Sequence, residues 1–291
     1  MTDNKNIKNT NVILFGKNGQ IGSNLSAALS NEEGVNVASY SSQDVNFSNL
    51  DELSNFLKNL SIIPDFIINA AAYTAVDKAE EEKELANLIN HKAVAILAQY
   101  SAQNNIKLIH YSTDYVFDGS GNAPFKEDNI KNLIPLNFYG KTKLLGEKAI
   151  VSSGCDYLIL RTSWIYDEKG KNFANTITKL AVEKDVLTIV SDQIGGPTSA
   201  KFVAQYTLKI IKKLINWKEN FPSGIYDLAN TNYVSWYEFA LQIIDSLRKK
   251  GVTLKVKEVK PIFTSEYKTM AIRPLNSRLN TDKIQNIFGV F

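Results

Sequence analysis

Residues 137–147 read NFYGKTKLLGE, and within them a phenol, Tyr139, stands four positions before an amine, Lys143. On a helix that spacing puts both side chains on one face, one turn apart. The pair suits proton transfer to a carbonyl oxygen. A phenol titrates near 10 by itself, and a neighbouring ammonium favours its anion and eases exchange. Alone the pair proves little: 13 tyrosines and 29 lysines (33 basic residues less four arginines) supply about one such pair by chance in 291 positions. Its company is more telling. The run HYSTDYVFDG (110–119) closes a strand pattern with Ser112, Thr113 and Asp114. Thr113 is suited to hydrogen-bond the same carbonyl oxygen, although these three residues by themselves also fit a turn or a helix cap.

A second constellation lies in LFGKNGQIG (14–22), where Gly16, Gly19 and Gly22 fall between a strand pattern and a helix pattern. Such a loop needs a tight turn, a backbone bare enough to approach a pyrophosphate, and close helix–strand contact. The helix N-terminus adds free N–H groups and partial positive charge. A dinucleotide site is expected here, and the GxxGxxG spacing suggests the short-chain dehydrogenase/reductase superfamily. The usual ribose-binding acid at the end of the second strand is missing from ASYSS (38–42), with Asp44 a little later. No carboxylate there repels a 2′-phosphate, and Lys17, Ser41 and Ser42 stand near. NADPH is therefore expected to be accepted at least as well as NADH, and to be slightly favoured.

Strands alternating with helices must position these groups. Short apolar runs at 12–15, 35–39, 66–68, 107–112 and 157–161 read as strands. Helical periodicity covers 20–30, 49–60, 79–104 and the stretch holding Tyr139. The fold class expected is α/β, a Rossmann-type doubly wound parallel sheet with a smaller mixed α/β substrate lobe. Residues 1–165 form the NAD(P)-binding domain, with returning elements from about 200–230. Segments 166–199 and 231–291 form the lobe, with helices at 172–182 and 236–249 and a strand at 187–190; the helix at 201–214 and the strand at 224–228 belong to the return.

Bulk properties exclude several classes. The chain is 44% apolar and 22% charged with net charge +3, values of an ordinary globular protein without the basic concentration of a nucleic-acid binder. One cysteine, Cys155, rules out an internal disulfide framework and fits a reducing compartment. The start, MTDNKNIKNT, lacks the apolar core of a signal peptide, and no run reaches a membrane span. A cytoplasmic protein without nucleic-acid or membrane partners is expected.

Longer stretches carry a resemblance. LFGKNGQIG (14–22), PDFIINAAAYTAVDKAE (64–80), IHYSTDYVFDG (109–119), NFYGKTKLLGEKA (137–149), RTSWIY (161–166), KNFANT (171–176), SDQIGGPTSA (191–200) and RPLNSRLNT (273–281) run through nearly the whole chain. The sequence resembles the dTDP-4-dehydrorhamnose reductases, an extended short-chain dehydrogenase/reductase family. That resemblance implies NAD(P)H-dependent reduction of the C4 ketone of dTDP-6-deoxy-L-lyxo-4-hexulose to dTDP-β-L-rhamnose, for cell-surface polysaccharide. It implies that Gly19, Gln20 and Ile21 line the pyrophosphate, that Asn46 and Phe47 lie near the adenine, and that Ala71, Ala72 and Thr74 follow the cofactor towards Tyr139 and Lys143. The family often has Asp-Phe where Asn46-Phe47 stand. It further implies that Thr113, Asp114 and Trp164 contact the sugar, with Asp114 tuning the Thr113/Tyr139 pair. Asn172, the loop 193–198 with Gln193 and Thr198, and Arg273 would hold the nucleotide sugar. Arg273 suits a pyrophosphate through its planar fork.

The chain stops at NIFGVF (286–291), where the family continues into a short final helix; the acidic residues through which some members are described as binding Mg²⁺ are absent, so no metal is expected. A homodimer remains open. So do a reductase of another nucleotide 4-ketosugar, an NADP-binding regulatory subunit like that of some methionine adenosyltransferases, and an epimerase or dehydratase that recycles NAD⁺. Asn90 is expected either to bond the main chain behind the site or to be simply structural. His91, His110, Trp217 and Trp236 are expected to be packing or surface residues, and Glu80–Glu84 a solvated helix face.

Overall fold

The computed structural model describes residues 9–290. The polar stretch up to residue 8, read above as lacking a signal-peptide core, and Phe291 lie outside the described residues. The chain opens with β1 (Thr10–Phe15), α1 (Gln20–Ser30), β2 (Val35–Tyr40), α2 (Leu50–Lys58) and β3 (Phe66–Asn69). It continues through α3 (Lys83–Asn87), α4 (Ala93–Gln103), β4 (Lys107–Thr113), α5 (Phe138–Ser152) and β5 (Tyr157–Thr162). After β6 (Ile165–Tyr166) come α6 (Phe173–Glu183), β7 (Val186–Val190), β8 (Ile194–Gly195), β9 (Thr198–Ser199), α7 (Ala200–Ile215) and β10 (Gly224–Asp227). The last elements are β11 (Val234–Ser235), α8 (Trp236–Lys249), β12 (Glu258–Ile262), β13 (Asn276–Ser277) and α9 (Asp282–Phe288).

Six strands pair in parallel in the order β10-β5-β4-β3-β1-β2. Continuous apolar runs such as Phe66–Ile68 are buried throughout because helices cover both faces. On one face Leu25 and Leu29 of α1 meet Val203 and Ile210 of α7; on the other, Leu53 of α2 and Leu97 of α4 pack near Ile150 of α5. Winding reverses between β1 and β3, and the crevice outside their carboxyl ends is where ligands bind in such sheets.

A smaller body beside the sheet carries β12 paired with β7, the three-stranded β11-β8-β13, and β6 paired with β9. Its core joins Ile177 and Ala181 of α6 to Ala240 and Ile244 of α8. Two expectations need correction. Residues 231–291 do not all belong to this body: Ile284, Phe288 and Val290 pack in the core of the first sheet with Leu214 and Tyr226, because α9 presents its apolar side to β10. The helix expected over 79–104 starts later, running without interruption from Lys83 to Gln103, and is widened inside by a π turn. A 3₁₀ turn (Lys78–Glu80), α3, a π turn (Leu88–Lys92) and α4 succeed one another. The widened turn carries Asn90, buried inside. Its Oδ1 accepts from Tyr73 N at 2.8 Å, and its Nδ2 donates to Tyr73 O at 3.0 Å and Thr142 Oγ1 at 3.1 Å. Such bulges recur at functional sites, and here one ties α5 to the strand-end loop after β3.

Candidate active site

The helix holding the tyrosine starts where it does because Asn137 caps it: Oδ1 accepts from Gly140 N at 2.9 Å. Glu80, expected on a solvated face, instead accepts from Phe138 N at 2.7 Å. Two caps thus fix Tyr139 in the first turn and Lys143 in the second. A buried bidentate pair then holds α5 to the sheet. Arg161 of β5 donates to Glu147 through Nε at 2.9 Å and Nη2 at 2.7 Å, and Ser112 Oγ donates to the same carboxylate at 2.5 Å.

Around this helix a cleft of about 410 Å³ gathers Gly19, Gln20, Ile21, Ala72, Thr74 and, further in, Thr113, Asp114, Tyr139, Lys143, Trp164 and Asn172. A second hollow shares Gly19 and Ala72 with it and adds Gly16, Ala71, Ser41, Ser42, Asn46 and Phe47. The two form one trough across the carboxyl ends of β1, β3 and β4.

The glycine loop fits a dinucleotide phosphate. Gly16 has φ +90°, and a Cβ there would lie 2.6 Å from Ala70 C and Ala71 N. At Gly22 a Cβ would collide with the carbonyl oxygen of Gly16. Only glycine at both positions lets α1 start directly beneath the trough, with its open N–H groups facing in. At the far end Asp44 is spent locally. Its Oδ2 accepts from Ser41 N at 2.7 Å, from Ser41 Oγ at 2.8 Å, and pairs with Lys17 Nζ at 2.9 Å. The Lys17 ammonium and then Ser41 hold its carboxyl well below the ordinary carboxylate range. Lys17 itself does not line the trough, and Asn46 is exposed, bonding Ser48.

At the reacting end Thr113 closes β4. Its hydroxyl donates to Asp114 Oδ1 at 3.1 Å and accepts from Tyr115 N at 3.2 Å. Asp114 is 3% exposed, and its Oδ2 has no partner among the described residues. Burial pushes its pKa up to about 7, opposed by the hydroxyls of Ser277 and Thr113. Ser277 Oγ has no hydrogen-bond partner among the described residues, so its pull is that of a nearby dipole. The Tyr139 ring stands edge-on to Tyr115 with centroids 5.6 Å apart.

Lys143 is not where the spacing argument expected its charge to act. Its Nζ, 2% exposed as a residue, donates to Tyr111 O at 2.6 Å and meets His110 Nε2 at 3.2 Å. Burial brings its pKa down to about 8 against the pull of Glu147. Tyr139 accordingly is not acidified. Burial raises its phenol above the ordinary value; the Thr113 hydroxyl opposes this, while Asp114 and Tyr115 add to it. A phenol so held stays protonated near neutrality, the form a reductase needs for donating a proton.

Trp164 stacks on Trp236 with centroids 3.4 Å apart and planes at 7°, and it holds a left-handed backbone, φ +48°. That conformation is strained for a bulky residue and turns the indole pair into the wall of the cleft. Trp236, expected as a packing residue, thus lines the site; no local pattern marks it, since its ring reaches the cleft only through the seating of α8 against β11. Its Nε1 donates to Gln193 Oε1 at 3.1 Å. Asn172 caps α6 and donates to Gln20 Oε1 at 2.9 Å, tying the lobe to α1.

Three expected ligand residues are not brought into this cleft. Gln193 lies behind Trp236, spending Nε2 on Thr264 Oγ1 at 3.1 Å. Thr198 is fully buried; its hydroxyl donates to Gly196 O at 2.8 Å and accepts from Asn230 N at 3.0 Å. Arg273 lines a neighbouring hollow with Asp118 and Asp192, and its Nη2 pairs with Asp77 Oδ2 at 2.5 Å. Ser277, which sequence reasoning passed over within RPLNSRLNT, instead faces Asp114.

A parallel sheet with a glycine-loop trough at its switch point and a Thr–Tyr–Lys set beside it, at the end of β4 and on α5, defines a short-chain dehydrogenase/reductase. A family model described as RmlD substrate binding domain matches residues 10–291. The dTDP-4-dehydrorhamnose reductase of Salmonella typhimurium is 42% identical over 282 residues, covering 96% of this chain and 92% of that protein. The enzyme of the same name from Escherichia coli strain K12 is likewise 42% identical over 282 residues, with the same coverage. Among solved structures, dTDP-4-dehydrorhamnose reductase from Bacillus anthracis in complex with NADP superposes with TM-score 0.85 at 33% identity, covering 97% of this chain and 94% of that one. The chain belongs to the dTDP-4-dehydrorhamnose reductase family. Among the described residues no helix is long and apolar enough to cross a membrane.

Proposed function

We propose that this protein reduces the C4 ketone of dTDP-6-deoxy-L-lyxo-4-hexulose to the alcohol of dTDP-β-L-rhamnose with a reduced nicotinamide dinucleotide. The observation that carries the reading is the cleft that joins Thr113, Tyr139 and Lys143 to the glycine trough, in a chain 42% identical to enzymes of that name.

The residues that would hold the dinucleotide are Gly16, Gly19, Gln20 and Ile21 at the pyrophosphate, Phe47 and Asn46 at the adenine, and Ala71, Ala72 and Thr74 between. When bound, the dihydronicotinamide supplies a hydride equivalent for the ketone carbon. The chain's own work is on the oxygen. Thr113 donates a hydrogen bond to the ketone oxygen, and Tyr139 transfers its phenolic proton to that oxygen as negative charge develops there. The hydroxyl of Thr113 has a single proton, spent on Asp114 Oδ1 at 3.1 Å while Asp114 is ionised; a protonated Asp114, its pKa raised to about 7 by burial, donates to Thr113 instead and frees that proton for the ketone oxygen. Trp164 and Trp236 present flat apolar faces to the sugar ring and exclude water.

NADPH is taken at least as readily as NADH in this reading, because Asp44 is committed to Lys17 and Ser41 and the similar B. anthracis enzyme was solved with NADP. A buried free thiol, Cys155, fits the reducing cytoplasm. The test is stoichiometric consumption of NADPH with a panel of nucleotide-linked 4-ketosugars, the dTDP-lyxo-hexulose giving the highest kcat/KM. Spectral silence with every 4-ketosugar would return the protein to a binding role.

A further inference from the structure

His110 and Asn69 take no part in the mechanism above, yet both are buried, at 0% and 1% exposure. Asn69 ends β3 and His110 sits in β4, paired in register. A backbone N–H can only donate, and Ala71 N donates to Asn69 Oδ1 at 3.0 Å. That bond fixes which way the Asn69 amide points. Its nitrogen then faces His110 Nδ1 at 3.1 Å and donates there, so the ring carries its proton on Nε2. Nε2 lies 3.2 Å from Lys143 Nζ. An ammonium has donors and no acceptor; an amine has a lone pair to receive the ring N–H.

We infer that Asn69 and His110 are positioning residues for Lys143: the hydrogen-bond chain from Ala71 N–H runs one way, presents a donor to the lysine nitrogen, and so favours its amine over its ammonium. The inference rests on Lys143 serving the proton transfer of Tyr139. With its pKa lowered to about 8 the lysine still carries a proton in part near neutrality, and that ammonium fraction gives it up to a spent tyrosinate more readily than a firm ammonium would.

To keep the ammonium, Nε2 must accept. The ring proton must then move to Nδ1, the Asn69 amide must turn, and Ala71 N–H must give up its acceptor. The direction agrees with the depressed pKa of Lys143, whose first cause is burial. His110 is itself held neutral by burial and then by the lysine charge. Of the other titratable groups around α5, Glu147 one turn on opposes the effect but is committed to Arg161 and Ser112. Asp114 and Tyr115 face Tyr139, Glu80 caps the helix start, and His91 bonds Asn87. The Tyr111 carbonyl, at 2.6 Å, is the remaining partner of Nζ and accepts from either form.

The chain can be reversed without changing its shape. In Asn69→Asp a carboxylate accepts from Ala71 N–H and from His110 Nδ1–H together, which leaves Nε2 free to accept from an ammonium. The experiment uses the full-length protein without added ligand, labelled with ¹⁵N in histidine and lysine, and follows the His110 ring nitrogens and Lys143 Nζ by NMR from pH 6 to 11. In the wild type the protonated His110 nitrogen should be Nε2. In Asn69→Asp it should be Nδ1, and the Lys143 midpoint should rise by about one pH unit or more, a tenfold gain in proton affinity. A His110 proton found on Nδ1 in the unsubstituted protein overturns the inference even if the variant fails to fold. So does a folded variant whose Lys143 midpoint stays in place. Neither readout needs turnover, so both stand apart from the assignment of the reaction.

Discussion

Asp114 gives a prediction whose size follows from its surroundings. The carboxyl is 3% exposed, one oxygen lacks a partner among the described residues, and burial raises its pKa from 3.8 to about 7. The native state therefore holds the proton more tightly than the unfolded chain does. Between about pH 4 and pH 7 unfolding releases that proton, so stability falls as pH rises through this window. A rise of that size corresponds to about 4 kcal/mol of stability that is present below pH 4 and lost above pH 7. Asp114→Asn keeps the shape and the acceptor for Thr113 but cannot ionise. Its stability relative to wild type should be near zero or slightly negative at pH 4, and positive by as much as about 4 kcal/mol at pH 8. Urea unfolding of both proteins across pH 4–8 measures this, and every other titrating group cancels in the difference. A gap between variant and wild type that stays constant over the window would refute the reasoning.

Other substitutions separate holding from chemistry. Tyr139→Phe should lower kcat by about 10²–10⁴-fold while leaving cofactor Kd within about threefold, as read by turnover and by titration of cofactor fluorescence. Glu147→Ala leaves Arg161 buried without its partner and should cost about 3–5 kcal/mol in denaturant unfolding; Glu147→Gln should recover part of that through Ser112. Trp236→Ala removes one face of the stacked wall and should raise KM for the sugar nucleotide several-fold, with cofactor Kd unchanged.

How much of this was legible beforehand depended on whether a residue's role is set by its neighbours in sequence. The sheet was readable because β1 and β3 carry unbroken apolar runs, Val12–Phe15 and Phe66–Ile68, the mark of strands covered on both faces. Thr113, Asp114, Tyr139 and Lys143 were readable because a strand end and the first turns of a helix carry their own punctuation, here Asn137 as a cap. Trp236, Ser277 and the Asn69–His110 pair were not. Each meets the site through register between β3 and β4, the pairing of β8 with β11, or the return of β13 beside β8, none of which a local pattern encodes. The π turn at Asn90 was hidden for the same reason, since a side chain that bonds the Tyr73 main chain across 17 residues leaves the helical periodicity intact. Thr198 and Gln193 show the converse: their residue types suit a ligand, but nearby Gly196, Asn230 and Thr264 claim their polar atoms.

The central claim is that a hydride reaches the sugar's C4 while Tyr139 protonates its oxygen. The most direct measurement uses NADPH deuterated on the transferring face of the nicotinamide C4, incubated with the dTDP-4-ketohexose. The account predicts one deuterium at C4 of the product sugar, one cofactor oxidised per sugar, and loss of this labelling in Tyr139→Phe. Product carrying no deuterium, or labelling that survives in that variant at the normal rate, would contradict it.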